Sequence, residues 1–155
     1  MNKLHLFSLC FCLLALAACG SDDEPVPTTP VYLQQGGDVR PTSWQAPDYS
    51  LFELTMSVQV QLGDTLAHYQ SEQDLMCAKV DNEVRAVTGP RTTMNVVYFP
   101  LTIAGNGSER TITLQYYCDR LHRIFTIPDW TNFDAAAAPT GDDGLYRPRF
   151  TEAMK

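Results

Sequence analysis

An all-β fold, two antiparallel sheets packed face to face, follows from two features of this sequence. Apolar and polar residues alternate strictly over several runs, and turn-forming pairs separate those runs at short intervals. The alternation is plainest after residue 52, where Leu54, Met56, Val58, Val60 and Leu62 share one parity. Glu53, Thr55, Ser57, Gln59 and Gln61 share the other. Successive side chains of a strand point to opposite faces, so the run predicts a strand with one face buried and one wet. No stretch shows the three-to-four-residue apolar spacing of a convincing amphipathic helix.

Each element can be justified in turn. Trp44 opens the folded part, and Pro47-Asp48 makes a turn before the first strand. Gly63-Asp64 ends that strand, and residues 64–73 are a polar excursion holding His68, Tyr69 and Gln70. Asp74 to Val80 predicts a strand with Met76, Ala78 and Val80 inward and Cys77 outward. Asp81-Asn82 is a two-residue hairpin turn, because both residues tolerate positive φ. Glu83 to Thr88 returns with Val84 and Ala86 inward, and Gly89-Pro90 turns again. Met94 to Ala104 is the longest predicted strand, with Val97, Phe99, Leu101 and Ile103 on one face. Pro100 has the opposite parity and no N–H, which points to an edge or a bulge. After the turn Gly105 to Ser108, Glu109 to Tyr117 places Ile112, Leu114 and Tyr116 inward, and Ile124 to Ile127 closes the set. In the tail, Asp134 before Ala135 to Ala138 suggests one capped helical turn, and Leu145 to Phe150 a short strand or docking segment. Short turns between successive strands make an immunoglobulin-like sandwich or a flattened barrel.

The first residues carry a different message. Lys3 precedes the apolar run Leu4 to Leu16, and Leu16-Ala17-Ala18-Cys19-Gly20 follows. The run is too short, and interrupted by His5 and Ser8, to cross a bilayer as a helix of about 20 residues. The pattern resembles the lipobox of bacterial lipoproteins. That resemblance implies removal of residues 1–18 and a lipid on Cys19, with three acyl chains holding the protein in a membrane. The plainer alternative is a secretory signal ending near Ala18. Ser21-Asp22-Asp23-Glu24 is similar to the export signal that sends Bacteroidota lipoproteins to the outer face of the outer membrane. It also reads as the start of a solvated tether, with the periplasmic leaflet as the alternative address. Pro, Thr, Gly and Gln dominate up to residue 43, so residues 19–43 form an anchor and flexible tether and 44–155 the domain.

Composition excludes some partners. The formal charge is −7, and it becomes −8 once Lys3 leaves with residues 1–18. Nucleic acid and anionic lipid headgroups each need a basic patch that this sequence does not supply. Of the five cysteines, Cys10 and Cys12 leave with the leader and Cys19 takes the lipid. Cys77 and Cys118 remain, and their opposite parity makes a disulfide awkward, although Cys118 sits at a strand end where parity weakens. No cysteine or histidine spacing suggests zinc, and no cofactor is implied.

The meander carries a second resemblance. Asp74-Leu75-Met76-Cys77-Ala78-Lys79-Val80-Asp81-Asn82-Glu83-Val84-Arg85-Ala86-Val87 resembles a β-repeat of Bacteroidota surface proteins. In that repeat an acidic residue precedes a small apolar strand, a D/N-G-E turn and an Arg-Gly-Val return. Phe99 to Asn106, Ile112 to Tyr117 and Leu54 to Val60 are similar to its other strands, so the likeness spans about residues 44–133. Lys79, Asn82 and Ala86 depart from it, standing where the repeat has an aromatic, often a Gly, and a Gly. The resemblance implies a β-sandwich of an exported protein and no catalytic residue. Arg85 is its most regular polar position, read as a partner for Glu83 or a neighbouring carboxylate, or as a ligand contact.

Candidate chemistry is sparse. His68 and His122 are the only histidines after the leader, and no GxSxG, HExxH or SxxK motif surrounds them. Asp142-Asp143-Gly144 lacks the alternating oxygen ligands of a calcium loop. Glu53, Asp64, Glu72, Asp74, Asp81, Glu83 and Glu109 fall at turns or on polar faces, as solvated charges do. Asp64-Thr65-Leu66 resembles an O-glycosylation sequence of Bacteroidota exported proteins, which makes Thr65 a modification candidate. Exposed aromatic rings stack on sugars in many sandwiches, so Trp44, Tyr69 and Trp130 join Arg85 as ligand-binding candidates, against the alternative that the tryptophans plug the sandwich. The expected function is a non-enzymatic surface module that binds or adheres to a glycan or protein. An accessory subunit of an outer-membrane complex is the alternative, and a hydrolase the third.

Overall fold

The computed structural model describes residues 33–107 and 111–150. Cys19 and the cluster Ser21, Asp22, Asp23 and Glu24 lie outside them, as does Glu109. Two antiparallel sheets form the domain. Strands β1 (Leu54–Val60), β4 (Arg91–Thr93) and β5 (Val96–Gly105) make one, in the order β1-β5-β4. Strands β2 (Leu75–Val80), β3 (Glu83–Thr88), β6 (Ile112–Cys118) and β7 (Arg123–Thr131) make the other, in the order β3-β2-β6-β7. A single turn of helix, α1 (Asp64–Ala67), interrupts the polar excursion. The predicted sandwich is therefore present, and its core is the predicted parity set: Met56, Val58, Val60, Met76, Ala78, Phe99, Leu101, Ile103, Ile112, Leu114 and Tyr116 are buried.

The sandwich has two ends. At the proximal end lie the α1 loop, the β6–β7 turn and the β4–β5 hairpin; at the distal end lie the β2–β3 turn and the β5–β6 connection. Both two-residue hairpins have left-handed backbone at both central residues, with φ of 49° and 66° at Asp81-Asn82 and 49° and 64° at Met94-Asn95. That geometry matches the twist of the strands they join.

The second hairpin corrects the expectation of one strand from Met94 to Ala104. Met94 is the turn itself, 94% exposed, and Arg91 to Thr93 form a strand of their own. Leu54 is likewise 42% exposed at the start of β1, on the last pair of the sheet opposite Gly105. Val84 was expected inward. The ladder slips between Ala78 and Lys79, so that Lys79 faces Val84 and Ala78 faces Ala86. Arg85 is the extra residue, and this bulge turns Val84 to the outer face beside Val87. Strand β7 runs four residues past the expected Ile127, because Pro128 and Asp129 (φ 48°) sit in a second irregularity between the Ile127 and Thr131 pairings. A proline there costs no ladder bond.

Pro100 is accommodated for a traceable reason. Gln59 spends its carbonyl on Tyr146 N, 2.8 Å away on the side facing away from β5. Gln59 and Pro100 are thus a non-hydrogen-bonded pair. The missing N–H of Pro100 points to the flank where β4 has already ended. On that flank the carbonyls of Thr102 and Ala104 accept bonds from Tyr49 OH (3.1 Å) and Arg85 Nη1 (3.4 Å).

Two segments close the sandwich. The tail forms no helical turn: Asp134 caps Ala136 N and Ala137 N through its carboxyl, at 2.9 and 3.2 Å, in an irregular bend. Farther on, Tyr146 bridges β1 at Val60, and Phe150 packs on Tyr116 and Phe125. Phe133 lies so close to Gly105 that a Cβ there would stand 2.6 Å from its ring. Upstream, the stretch assigned to the tether touches the domain from Leu33 onward. Leu33 N donates to Tyr69 OH (3.1 Å), Gly36 N to Leu121 O (2.7 Å), and Asp38 accepts from Ile124 N (2.7 Å).

Candidate functional site

The residues best suited to chemistry by type are spent on structure. Asp74, expected among the solvated charges, is fully buried. Its carboxyl accepts from Ser71 N (2.9 Å), Ser71 Oγ (2.9 Å), Asp119 N (2.9 Å) and Tyr116 OH (2.6 Å). It thereby ties the α1 loop and the β6–β7 turn to the core. Burial first, then the hydrogen bond and charge of Asp74, push the Tyr116 phenol far above its ordinary range. The signal was present in the sequence as Ser71-x-x-Asp74 directly before an apolar strand, a pattern in which a serine and a carboxyl close a loop.

The four ligand-binding candidates do not converge. Trp44 is 7% exposed and lies on the outer face of the four-stranded sheet over Cys77 and Tyr117, with Lys79 Nζ 5.6 Å from its ring centroid. Tyr69 is half-buried in the α1 loop and receives Leu33 N. Arg85 is buried at the seam of the two sheets, 3.3 Å from Glu83 Oε2 and 4.5 Å above the Phe52 ring. Its bond to Ala104 O joins β3 to β5, so the expected Glu83 partner is present together with a packing role. Trp130 tilts against Tyr146 at 5.7 Å, and its indole N–H is buried with no acceptor among the described residues. Thr65 is exposed on α1.

Cys77 and Cys118 are both buried free thiols. Cys118 faces the main core. Cys77 has the outward parity expected of it, yet the Trp44 segment buries it completely, and burial pushes its thiol up to about 12. His68 is tied through its carbonyl to Arg120 Nη1 at 3.5 Å. His122 lines a separate depression of about 410 Å³ with Gly36, Arg40 and Tyr117. Among the described residues no three His, Cys, Asp or Glu side chains gather as a metal-binding group. No described helix is long and apolar enough to cross a membrane.

Two other concavities are built from polar side chains. At the proximal end, Gln70, Glu72, Thr92 and Arg120 surround a depression of about 440 Å³ with Val97 and Pro90. On the outer face of the three-stranded sheet, a groove of about 330 Å³ runs between β1–β5 and the tail. Ser57, Gln59, Pro100 and Thr102 floor it, and Ala138, Pro139 and Thr140 wall it. Every polar side chain in this groove is an uncharged hydroxyl or amide, a donor and acceptor at once. The tail wall is braced by Asp143, whose bidentate partner Arg147 approaches to 2.6 Å and holds its carboxyl down at about 2.

Comparison with protein-family models, curated proteins and solved structures gives no match for this chain.

Proposed function

We propose that this chain is a lipid-anchored surface module that binds a glycan or protein ligand and does not turn it over. The observation that carries the reading is the flank groove. Its hydroxyl and amide lining suits sugar hydroxyls or a peptide backbone, which exchange hydrogen bonds in both directions. The lipobox-like Cys19 supplies the anchor in this reading, and the acidic residues 21–24 the route to the surface. Tyr49, Leu51 and Leu54, all exposed at the entry to β1, favour accessory-subunit docking as the second reading, since apolar side chains clustered at a surface mark interaction sites.

The test is a glycan and peptide panel scored for both binding and product formation. Ser57→Arg places a long charged side chain in the groove from an exposed position and should weaken binding at least about tenfold, a loss of ~1.4 kcal/mol. Unchanged binding in that variant would move the site elsewhere, and any product formed would overturn the non-enzymatic reading.

A further inference from the structure

We propose that the proximal end of the sandwich rests on the lipid surface, with the Met94 hairpin tip and Val39 seated in its interfacial layer. The inference rests on the reading of Cys19 as a lipid anchor and adds to it an orientation and a second contact.

Three observations converge on one end. The first is where the upstream chain meets the domain. Leu33 and Gly36 bond to the α1 loop and the β6–β7 turn, so the path from Cys19 arrives at the proximal end. Residues 20–32 span at most about 50 Å even when fully extended. A tether of that reach holds the proximal end near the bilayer at an effective concentration on the order of millimolar, which populates contacts too weak to form in free solution.

The second is the hairpin itself. Beyond the register Val60↔Phe99, β5 and β4 continue outward without β1, so the tip at Met94-Asn95 is a projection from the proximal end. Its leading residue is an unbranched apolar side chain, 94% exposed, on a left-handed backbone that disfavours side chains other than Asn, Asp and Gly. The matching turn at the distal end carries Asp81 and Asn82 in the same conformation, which is the polar choice a wet turn ordinarily makes. Val39, 80% exposed, is a second apolar side chain at the proximal end. The exposed Tyr49, Leu51 and Leu54 lie at the opposite end from the point where the upstream chain arrives, so the tether, not apolar exposure alone, selects the proximal end.

The third is charge. Arg40, Arg91, Arg120 and Arg123 roughly balance the acids of the proximal end, whereas Glu53, Asp81, Glu83 and Asp129 outweigh Lys79 and Arg85 at the distal one. An anionic surface therefore repels the distal end more than the proximal. This orientation leaves the flank groove open to the medium.

Site-directed spin labelling tests it on the full, lipidated chain in phosphatidylethanolamine–phosphatidylglycerol vesicles. Met94→Cys, Val39→Cys and the distal control Asn82→Cys each supply one exposed thiol, while Cys77 and Cys118 are buried. Labels at 94 and 39 should collide with oxygen several-fold more, relative to a water-soluble nickel complex, than the label at 82. Vesicle-bound protein in which all three positions behave alike would overturn the orientation and leave the anchor standing. A label at 94 that is immobilised yet inaccessible to oxygen would indicate a protein partner instead and overturn it equally. Protein that fails to float with the vesicles would remove the anchor, and the orientation with it.

Discussion

Both faces of the four-stranded sheet bury apolar side chains, but for different reasons and to different depths. On the inner face, Met76, Ala78, Leu114, Tyr116 and Phe125 meet the three-stranded sheet across the main core. On the outer face, Cys77, Tyr117, Leu75, Val84, Val87 and Ile124 meet no sheet at all; the segment around Trp44 covers them. Parity assigned most of these side chains to the right face. It does not say whether a face is wet, because that depends on what the rest of the chain lays over it. A single tryptophan from a stretch without apolar periodicity is enough to bury the centre of one.

The comparison can be broken from either side. One of the two largest expected effects is Asp74→Ala, which strips the inner face of the acceptor for the buried Tyr116 OH and takes their shared acceptor from the half-buried donors of Ser71 and Asp119. We expect a loss of about 3 kcal/mol in urea unfolding, from one buried and three half-buried donors at about 1–3 kcal/mol for each one left fully unsatisfied. A loss under ~1 kcal/mol would mean that water reaches these groups.

Trp44→Ala acts on the outer face alone. It should cost about 3 kcal/mol and make Cys77 react with a maleimide while Cys118 stays protected, as read by peptide mass mapping. Equal labelling of both cysteines would show that the two faces are one cooperative unit.

The smallest effect, read over a single pH unit, is a pH dependence that both faces share. The folded-state pKa values of Cys77 and Tyr116 are raised, so the native state holds their protons longer than the unfolded chain does. Stability is then complete below the ordinary thiol pKa of 9.0 and falls as pH climbs through that value toward about 12. The slope is at most about 1.4 kcal/mol per pH unit for each group. Chemical denaturation across that range checks it, and Cys77→Ala should remove one group's share of the slope.

Strand parities and the Asp81-Asn82 turn were legible in the sequence because each rests on neighbours a few residues apart. The Met94-Asn95 turn was not, since methionine gives no turn signal and only the pairing of Arg91 to Thr93 with Val96 to Tyr98 reveals it. The bulge at Arg85 was hidden for the same reason: a slip of register is a property of two strands together. Of the candidate site residues, Arg85 was given its Glu83 partner by proximity alone. The burial of Trp44 and Asp74 depends on residues 33 to 73 positions away in the chain, beyond the reach of any local pattern. The flank groove depends on the tail, whose path no periodicity announced.

The parallel bridge from Tyr146 to β1 bears on how the molecule is made. Strand β1 has no charged residue, proline or glycine from Leu54 to Val60, which are the usual guards of a sheet edge. Its cover comes from a residue 86 positions later. A nascent chain that stops ahead of Tyr146 already contains every described strand, yet it presents a bare, neutral edge ready to pair with another molecule. Truncation ahead of Tyr146 is therefore a route to aggregation rather than a simple loss of stability. Contacts closed over such long separations also slow folding, so the segment around Tyr146 sets when the chain becomes safe as well as what shape it takes.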